Sequence, residues 1–368
     1  MDGTEPAVRL VAGPFNRVEG DLEVHLDVAD GRVAEARVNA PLYRGFEKML
    51  LGKDPRDALT ITPRICGICS VSQSVAAARA LADVQGARMP DQGRIAAAII
   101  HGVENLADHL THFHLFFMPD FAREAYAGRP WHARLKTRFE AARGEACREA
   151  LAARAKLLHV LGVLAGKWPH TLAVQPGGVT KAPGARDRAQ IISSLRGVRA
   201  WAEGALFGGP LEAFAALETD AALLAWASAG SGDAALFVEA AEDAGLRALG
   251  PGAGRYLSFG GYDLPSGPVF APGLWSDGAL VSDAPRALAE RVAEDAAHAW
   301  LLDREPRHPY EGATRPDPAM AAPGYTWCKA PRLDGAPAET GALARQVIDG
   351  HPLARALAAP AEGGRGRG

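Results

Sequence analysis

Cysteine is scarce in this chain. There are four in 368 residues, and only Cys66 and Cys69 lie near one another. Four thiols do not make a disulfide framework, and a Cys-x-x-Cys pair is a poor structural disulfide, so a reducing compartment is the default. No run of 18 or more uninterrupted apolar residues occurs, which excludes a predicted transmembrane helix. Charge of one sign is also missing: 40 Lys and Arg stand against 43 Asp and Glu, a net of −3. That balance gives no basic footprint for a nucleic acid or another polyanion. The opening Met1-Asp2-Gly3-Thr4-Glu5 lacks the basic and apolar regions of a signal peptide, so a soluble cytoplasmic protein is expected. No internal repeat is visible.

What is present is ample apolar material, 48% of the chain, enough for one large domain or two intimately packed ones. Leu22, Val24, Leu26 and Val28 alternate with polar residues, Asp30-Gly31 supplies a turn, and a second extended run follows from Arg32 to Val38. From about Pro55 the period becomes helical. Ser70 to Leu81 is Ala-rich. Asp91 to Phe117 carries Ile95, Ile99, Val103, Leu106, Leu110, Phe113 and Phe117 at spacings of three and four, one apolar stripe. Further helices are predicted over Arg134–Leu164, Asp187–Ala202 and Asp283–Leu302. Gly/Pro-rich stretches at Pro169–Pro183, Leu249–Pro272 and Pro306–Pro331 read as loops or short strands. The fold class is mainly α, a bundle of long helices with a small N-terminal β element.

The chemistry centres on Arg64-Ile65-Cys66-Gly67-Ile68-Cys69. Two thiolates in one turn, with a small Gly between them, suit a soft, late first-row metal and supply half of a four-thiolate site. Three other readings stand beside that one. Buried cysteines pack as small hydrophobes. A redox pair of the thioredoxin kind needs a βαβ context, and a hairpin and charged loop precede Cys66 instead. A zinc site would recruit His109, His112 or His114, which are otherwise satisfied histidines in a helix contact.

An ordered set of motifs surrounds the pair. Asn16-Arg17-Val18-Glu19-Gly20 comes first, then Tyr43-Arg44-Gly45-Phe46-Glu47, Lys53-Asp54-Pro55-Arg56-Asp57 and Thr62-Pro63-Arg64 before the cysteines. Far downstream stand His308-Pro309-Tyr310-Glu311-Gly312 and Tyr325-Thr326-Trp327-Cys328-Lys329-Ala330-Pro331-Arg332. This set resembles the large subunit of nickel–iron hydrogenases, from about residue 10 to about 355. The resemblance implies one large-subunit-like domain over 1–358, incomplete at its C-terminus, and a disordered Gly/Arg tail over 359–368. It also implies a nickel ion and an iron carrying cyanide and carbon monoxide, held by four cysteines from two Cys-x-x-Cys motifs.

By that resemblance Cys66 is a terminal nickel ligand and Cys69 bridges nickel and iron. Glu19 is similar to the glutamate that passes protons to and from a terminal thiolate, a task for a carboxylate tuned toward neutral pH. Its other reading is a surface partner of Arg17. Glu47 resembles a ligand of a structural magnesium, a hard cation that takes oxygen donors; otherwise it is a solvated loop-end carboxylate. Arg332 resembles the guanidinium over the open metal position, and Asp120 the carboxylate that holds it, although Asp120 would equally cap the next helix. Arg64 stands beside the cysteines, either lowering their pKa values or serving as an ion-pair partner.

Two departures from the family pattern follow. Gln73 occupies the position four after the second cysteine where hydrogen-oxidising members have histidine; an amide keeps a hydrogen bond there but carries no proton. This variant resembles the regulatory, hydrogen-sensing branch, cytoplasmic proteins that signal to a histidine kinase. The second Cys-x-x-Cys is also missing from the 368 residues, so a truncated product without a stable nickel–iron centre is expected. The function implied is heterolytic H₂ cleavage in a heterodimer with an iron–sulfur small subunit. The alternatives are a non-catalytic scaffold that binds such a subunit, or a mononuclear metal protein.

Overall fold

The computed structural model describes residues 8–15, 20–249 and 252–359. They form two compact units, one within Met1–Lys53 and Ala284–Ala338, the other within Asp54–Asp283 and Glu339–Gly368. The tail expected to be disordered lies, beyond Ala359, outside the described residues. No single described helix is long and apolar enough to cross a membrane.

The first unit opens on an antiparallel sheet of Val8–Phe15, Leu22–Ala29 and Arg32–Asn39, with the second strand in the centre. Asp30 and Gly31 take φ of 50° and 70°, the left-handed pair that a two-residue hairpin turn requires. Arg9 and Arg37 from the outer strands both donate to Asp27 of the central one, and Arg9 foremost pulls its carboxyl down to about 2. Backbone Trp327 N–H donates to the Ala40 carbonyl at 3.2 Å, and buried Thr326 accepts from Ala40 N–H at 3.0 Å. The downstream motif is thereby tied to the end of the sheet.

The predicted helix over Asp283–Leu302 is corrected. Helix survives only at Pro285–Ala289; the chain then extends as strand Val292–Asp295, antiparallel to Ala330–Leu333, with Arg332 opposite Ala293. Alanine-rich periodicity is a weak preference, and tertiary pairing overrides it. Here Asp334 N–H donates to the Arg291 carbonyl while Arg291 grips the Asp334 side chain, which pulls the segment out of helix and into the ladder.

The second unit is helical at its centre. Ser70–Gln85, Asp91–Thr111, Glu145–Ala165 and Ala185–Trp201 enclose a core that includes Val71, Leu81, Ile100, Leu157 and Leu161. The expected apolar stripe packs inward for the most part, with Ile99, Val103 and Leu110 on this core and Phe113 and Phe117 on a second, and the covered face extends to the alanines beside it. Ala96, Ile100, Val103 and Ala107 are buried, whereas Leu106 is 51% exposed. Small side chains on this flank suit contact with the Glu145–Ala165 helix, and Leu106 is the stripe residue left outside.

The long helix expected over Arg134–Leu164 is broken into His132–Phe139 and Glu145–Ala165. The chain turns sharply between them, with Ala142 at φ 63°. A Cβ on Gly144 would lie 2.5 Å from the Arg138 carbonyl oxygen, so the turn depends on glycine. The β content is not confined to the N-terminus either. Tyr256–Leu264, Gly267–Ser276 and Ala279–Ser282 make a further antiparallel sheet that carries the Ala342–Asp349 helix, and Val174–Gln175 pairs with Gly178–Val179.

Candidate metal centre

The cysteine turn joins two helical pieces of the second unit. The 3-10 turn Thr62–Arg64 ends the first, and Cys69 is the N-cap of the Ser70–Gln85 helix. Cys66 and Cys69 are both half-buried and free. Backbone N–H of Cys69 donates to the Cys66 sulfur at 3.4 Å, and Gln73 Nε2 donates to the Cys69 sulfur at 3.6 Å. The expected amide contact at the site is therefore present. Thr62 Oγ1 reaches the Ala58 and Gln73 carbonyls, tying the entry of the turn to the helix beyond it.

Burial, followed by the Cys66 thiol and the negative Glu104 side chain, pushes the Cys69 thiol up to about 11, with the Gln73 amide opposing them in part. The exposed Arg64 guanidinium donates to the Thr60 carbonyl. A thiol held protonated in this way would have to release its proton to serve as a metal ligand.

Glu104 was not singled out by sequence reasoning. It is 2% exposed, and its carboxylate accepts from Val71 N–H at 2.8 Å, Ser72 N–H at 3.0 Å, Ser70 Oγ at 3.2 Å, Ser72 Oγ at 3.4 Å and Trp168 Nε1 at 2.9 Å. The available signal was an acidic residue four after Ile100, between Val103 and Ala107, on the alanine flank beside the expected stripe. His170 was missed as well. Its N–H donates to Ser70 Oγ at 3.2 Å and its Nδ1 lies 3.1 Å from the Pro63 carbonyl, so one loop touches both sides of the cysteine turn.

The other expected residues fall in different places. Asp120 is half-buried in the 3-10 turn Met118–Ala122, and Arg123 holds the N-cap position of the 3-10 turn that follows. Glu47 is exposed in the first turn of the Phe46–Leu50 helix of the first unit. It stands near Cys328, whose thiol is pushed up by burial and by the Glu47 charge. Arg332, half-buried on its strand, donates to the Pro331 carbonyl at 2.9 Å. Glu19 lies outside the described residues.

His114 is buried, with Nδ1 2.9 Å from the Leu110 carbonyl and Nε2 3.4 Å from Asp233. Exposed His112 stacks on Phe117. Among the described residues no three His, Cys, Asp or Glu side chains gather closely enough to hold a metal ion, so the zinc arrangement is not formed. Cys66 and Cys69 fit a thiophilic metal as two ligands from one sheltered turn. They do not complete a site by themselves.

The comparisons with known proteins agree with the motif order. A family model described as nickel-dependent hydrogenase matches residues 44–127 and 233–358, more than half of the chain. The periplasmic NiFeSe hydrogenase large subunit of Desulfomicrobium baculatum is 27% identical over 366 residues, covering 94% of this chain and 65% of that protein. The hydrogenase-2 large chain of Escherichia coli (strain K12) is 25% identical, covering 92% of this chain and 67% of the relative. A solved structure of the Ni-Fe-Se hydrogenase from D. vulgaris Hildenborough in the reduced state superposes with a TM-score of 0.74 at 25% identity, over 93% of this chain and 67% of that one. This chain therefore spans about two thirds of the length of these relatives. On the family match and the shared large-subunit fold, the chain belongs to the nickel-dependent hydrogenases.

Proposed function

We propose that this chain is the portion of a nickel–iron hydrogenase large subunit that supplies two of the four metal thiolates. The carrying observation is the Cys66/Cys69 turn, with both sulfurs half-buried, 3.4 Å from Cys69 N–H to the Cys66 sulfur, and an amide aimed at Cys69. When bound, the nickel–iron group with its cyanide and carbon monoxide ligands would supply the site at which H₂ splits heterolytically. Cys66 would hold nickel and Cys69 both metals. Gln73 orients the Cys69 sulfur, Glu19 would carry the proton, and Arg332, with Asp120 as its counterion, would line the open position. Glu47 would bind magnesium through hard oxygen donors.

Gln73 supports the sensing branch, because a non-titrating amide at that position suits slow turnover. On that reading the protein is cytoplasmic, pairs with an iron–sulfur small subunit and signals to a histidine kinase. A second reading has its own support: the 368 residues hold one Cys-x-x-Cys, and no described cluster completes a metal site. The chain alone would then be a scaffold that binds a small subunit without assembling the centre.

Infrared spectroscopy of the chain purified with its small subunit separates the two. Stretching bands of cyanide and carbon monoxide support the hydrogenase reading. A stable complex with bound partner and no such bands supports the scaffold.

A further inference from the structure

The residue that starts a helix normally caps it. Ser, Thr, Asp or Asn at that position accepts from the first free N–H groups. Here the N-cap is Cys69, which makes no side-chain cap. A thiol sulfur is only a weak acceptor beside a hydroxyl or carboxylate oxygen. The capping oxygen comes from elsewhere instead: Glu104, on the Asp91–Thr111 helix, reaches Val71 N–H through Oε1 and Ser72 N–H through Oε2. The same carboxylate takes the hydroxyls of Ser70 and Ser72 and the indole N–H of Trp168. Ser70 Oγ in turn accepts from His170 N–H, so the loop over the turn is held through the same group.

We infer that Glu104 is a positioning residue for the cysteine turn: a cap displaced from Cys69 onto a neighbouring helix, which holds the helix start from which Cys69 projects and so sets the two sulfurs relative to one another. The inference rests on the proposed reading of Cys66 and Cys69 as metal ligands. A buried carboxylate with five donors converging on it is costly to alter, because each donor left without an acceptor bears its full desolvation penalty. Four of the five belong to the three consecutive residues immediately after Cys69, and that concentration distinguishes Glu104 from an ordinary core hydrogen-bonding group. Glutamine has the same shape but places an NH₂ against one set of donors, in this geometry the Ser72 N–H.

The test uses the whole chain and its own control thiol. Cys147, half-buried in the first turn of the Glu145–Ala165 helix, reports general loosening. Iodoacetamide labelling is followed by peptide mass spectrometry in wild type, Glu104→Gln and the core control Ile100→Val. In Glu104→Gln, labelling of Cys69 is expected to accelerate on the order of tenfold while Cys147 stays unchanged, as local opening requires. Ile100→Val should move neither. Affinity for added Co²⁺, read from thiolate-to-metal absorption, should fall by a similar factor in Glu104→Gln.

Unchanged Cys69 labelling in Glu104→Gln, or a parallel rise at Cys147, overturns the positioning role. If wild type shows no Co²⁺–thiolate absorption but the labelling pattern holds, the two thiols bind no metal unaided and the positioning role stands. Should Glu104→Gln not fold, Trp168→Phe removes a single donor. Cys69 labelling should then rise about twofold with Cys147 constant, and no rise would overturn the inference.

Discussion

The Gln73 side chain donates from Nε2 to the Cys69 sulfur at 3.6 Å, one helical turn beyond the cysteine it touches. The backbone makes the same link, Gln73 N–H to the Cys69 carbonyl at 3.1 Å, so the amide is held over the sulfur by the first turn of the helix. A contact of this kind orients a thiolate without offering it a proton.

Replacing Gln73 by His should therefore leave folding and metal retention intact, since the two side chains have similar reach. Histidine titrates near neutral pH, so turnover or kinase coupling is what should change. H₂ uptake and kinase autophosphorylation, measured with and without hydrogen in the complex with small subunit and kinase, check this. High wild-type uptake with no hydrogen-dependent kinase response removes the sensing assignment.

Nickel content gives a second test. Only two neighbouring thiols are available in the chain, so the isolated protein should retain less than one equivalent of nickel and reduce no dye with H₂. Cys66→Ser should bring retained nickel to background, because a neutral hydroxyl does not replace a thiolate. Rapid H₂-dependent dye reduction by these 368 residues alone would contradict the proposed ligand count.

His101 predicts a pH effect. Burial first, then the positive charges of Arg79 and Arg345, lowers its pKa to about 4, and its Nε2 lies 3.0 Å from Ser72 Oγ. The folded state stays unprotonated where the unfolded chain takes up a proton near pH 6.5. Stability present above that pH is then lost as pH falls toward 4, at up to about 1.4 kcal/mol per pH unit. Urea unfolding at pH 7 and pH 5 should show a larger loss for wild type than for His101→Gln. Equal losses would remove His101 as the source.

Gly144 tests the break between the His132–Phe139 and Glu145–Ala165 helices. Its φ is an ordinary −60°, so strain is not the issue; space is, with the Arg138 carbonyl oxygen 2.5 Å from the position a Cβ would take. Gly144→Ala should cost on the order of 1–3 kcal/mol by overpacking, visible as a lower Tm. An unchanged Tm would mean that the turn shifts freely.

By itself the sequence determined what is written in short spans. Asp30-Gly31 between alternating runs specifies the hairpin, because only that turn matches the twist of paired strands. The Ala-rich run from Ser70 specifies its helix, and the motif order around Cys66 and Cys69 specifies the family. Tertiary structure alone decided the rest. Periodicity states which residues share a face, but a neighbour decides which face is covered, so Ala96 and Ala107 went in and Leu106 went out. The strand at Val292–Asp295 exists because Ala330–Leu333 pairs with it. Glu104 caps a helix that begins 34 residues earlier in the chain, and no local pattern records a hydrogen bond across that separation.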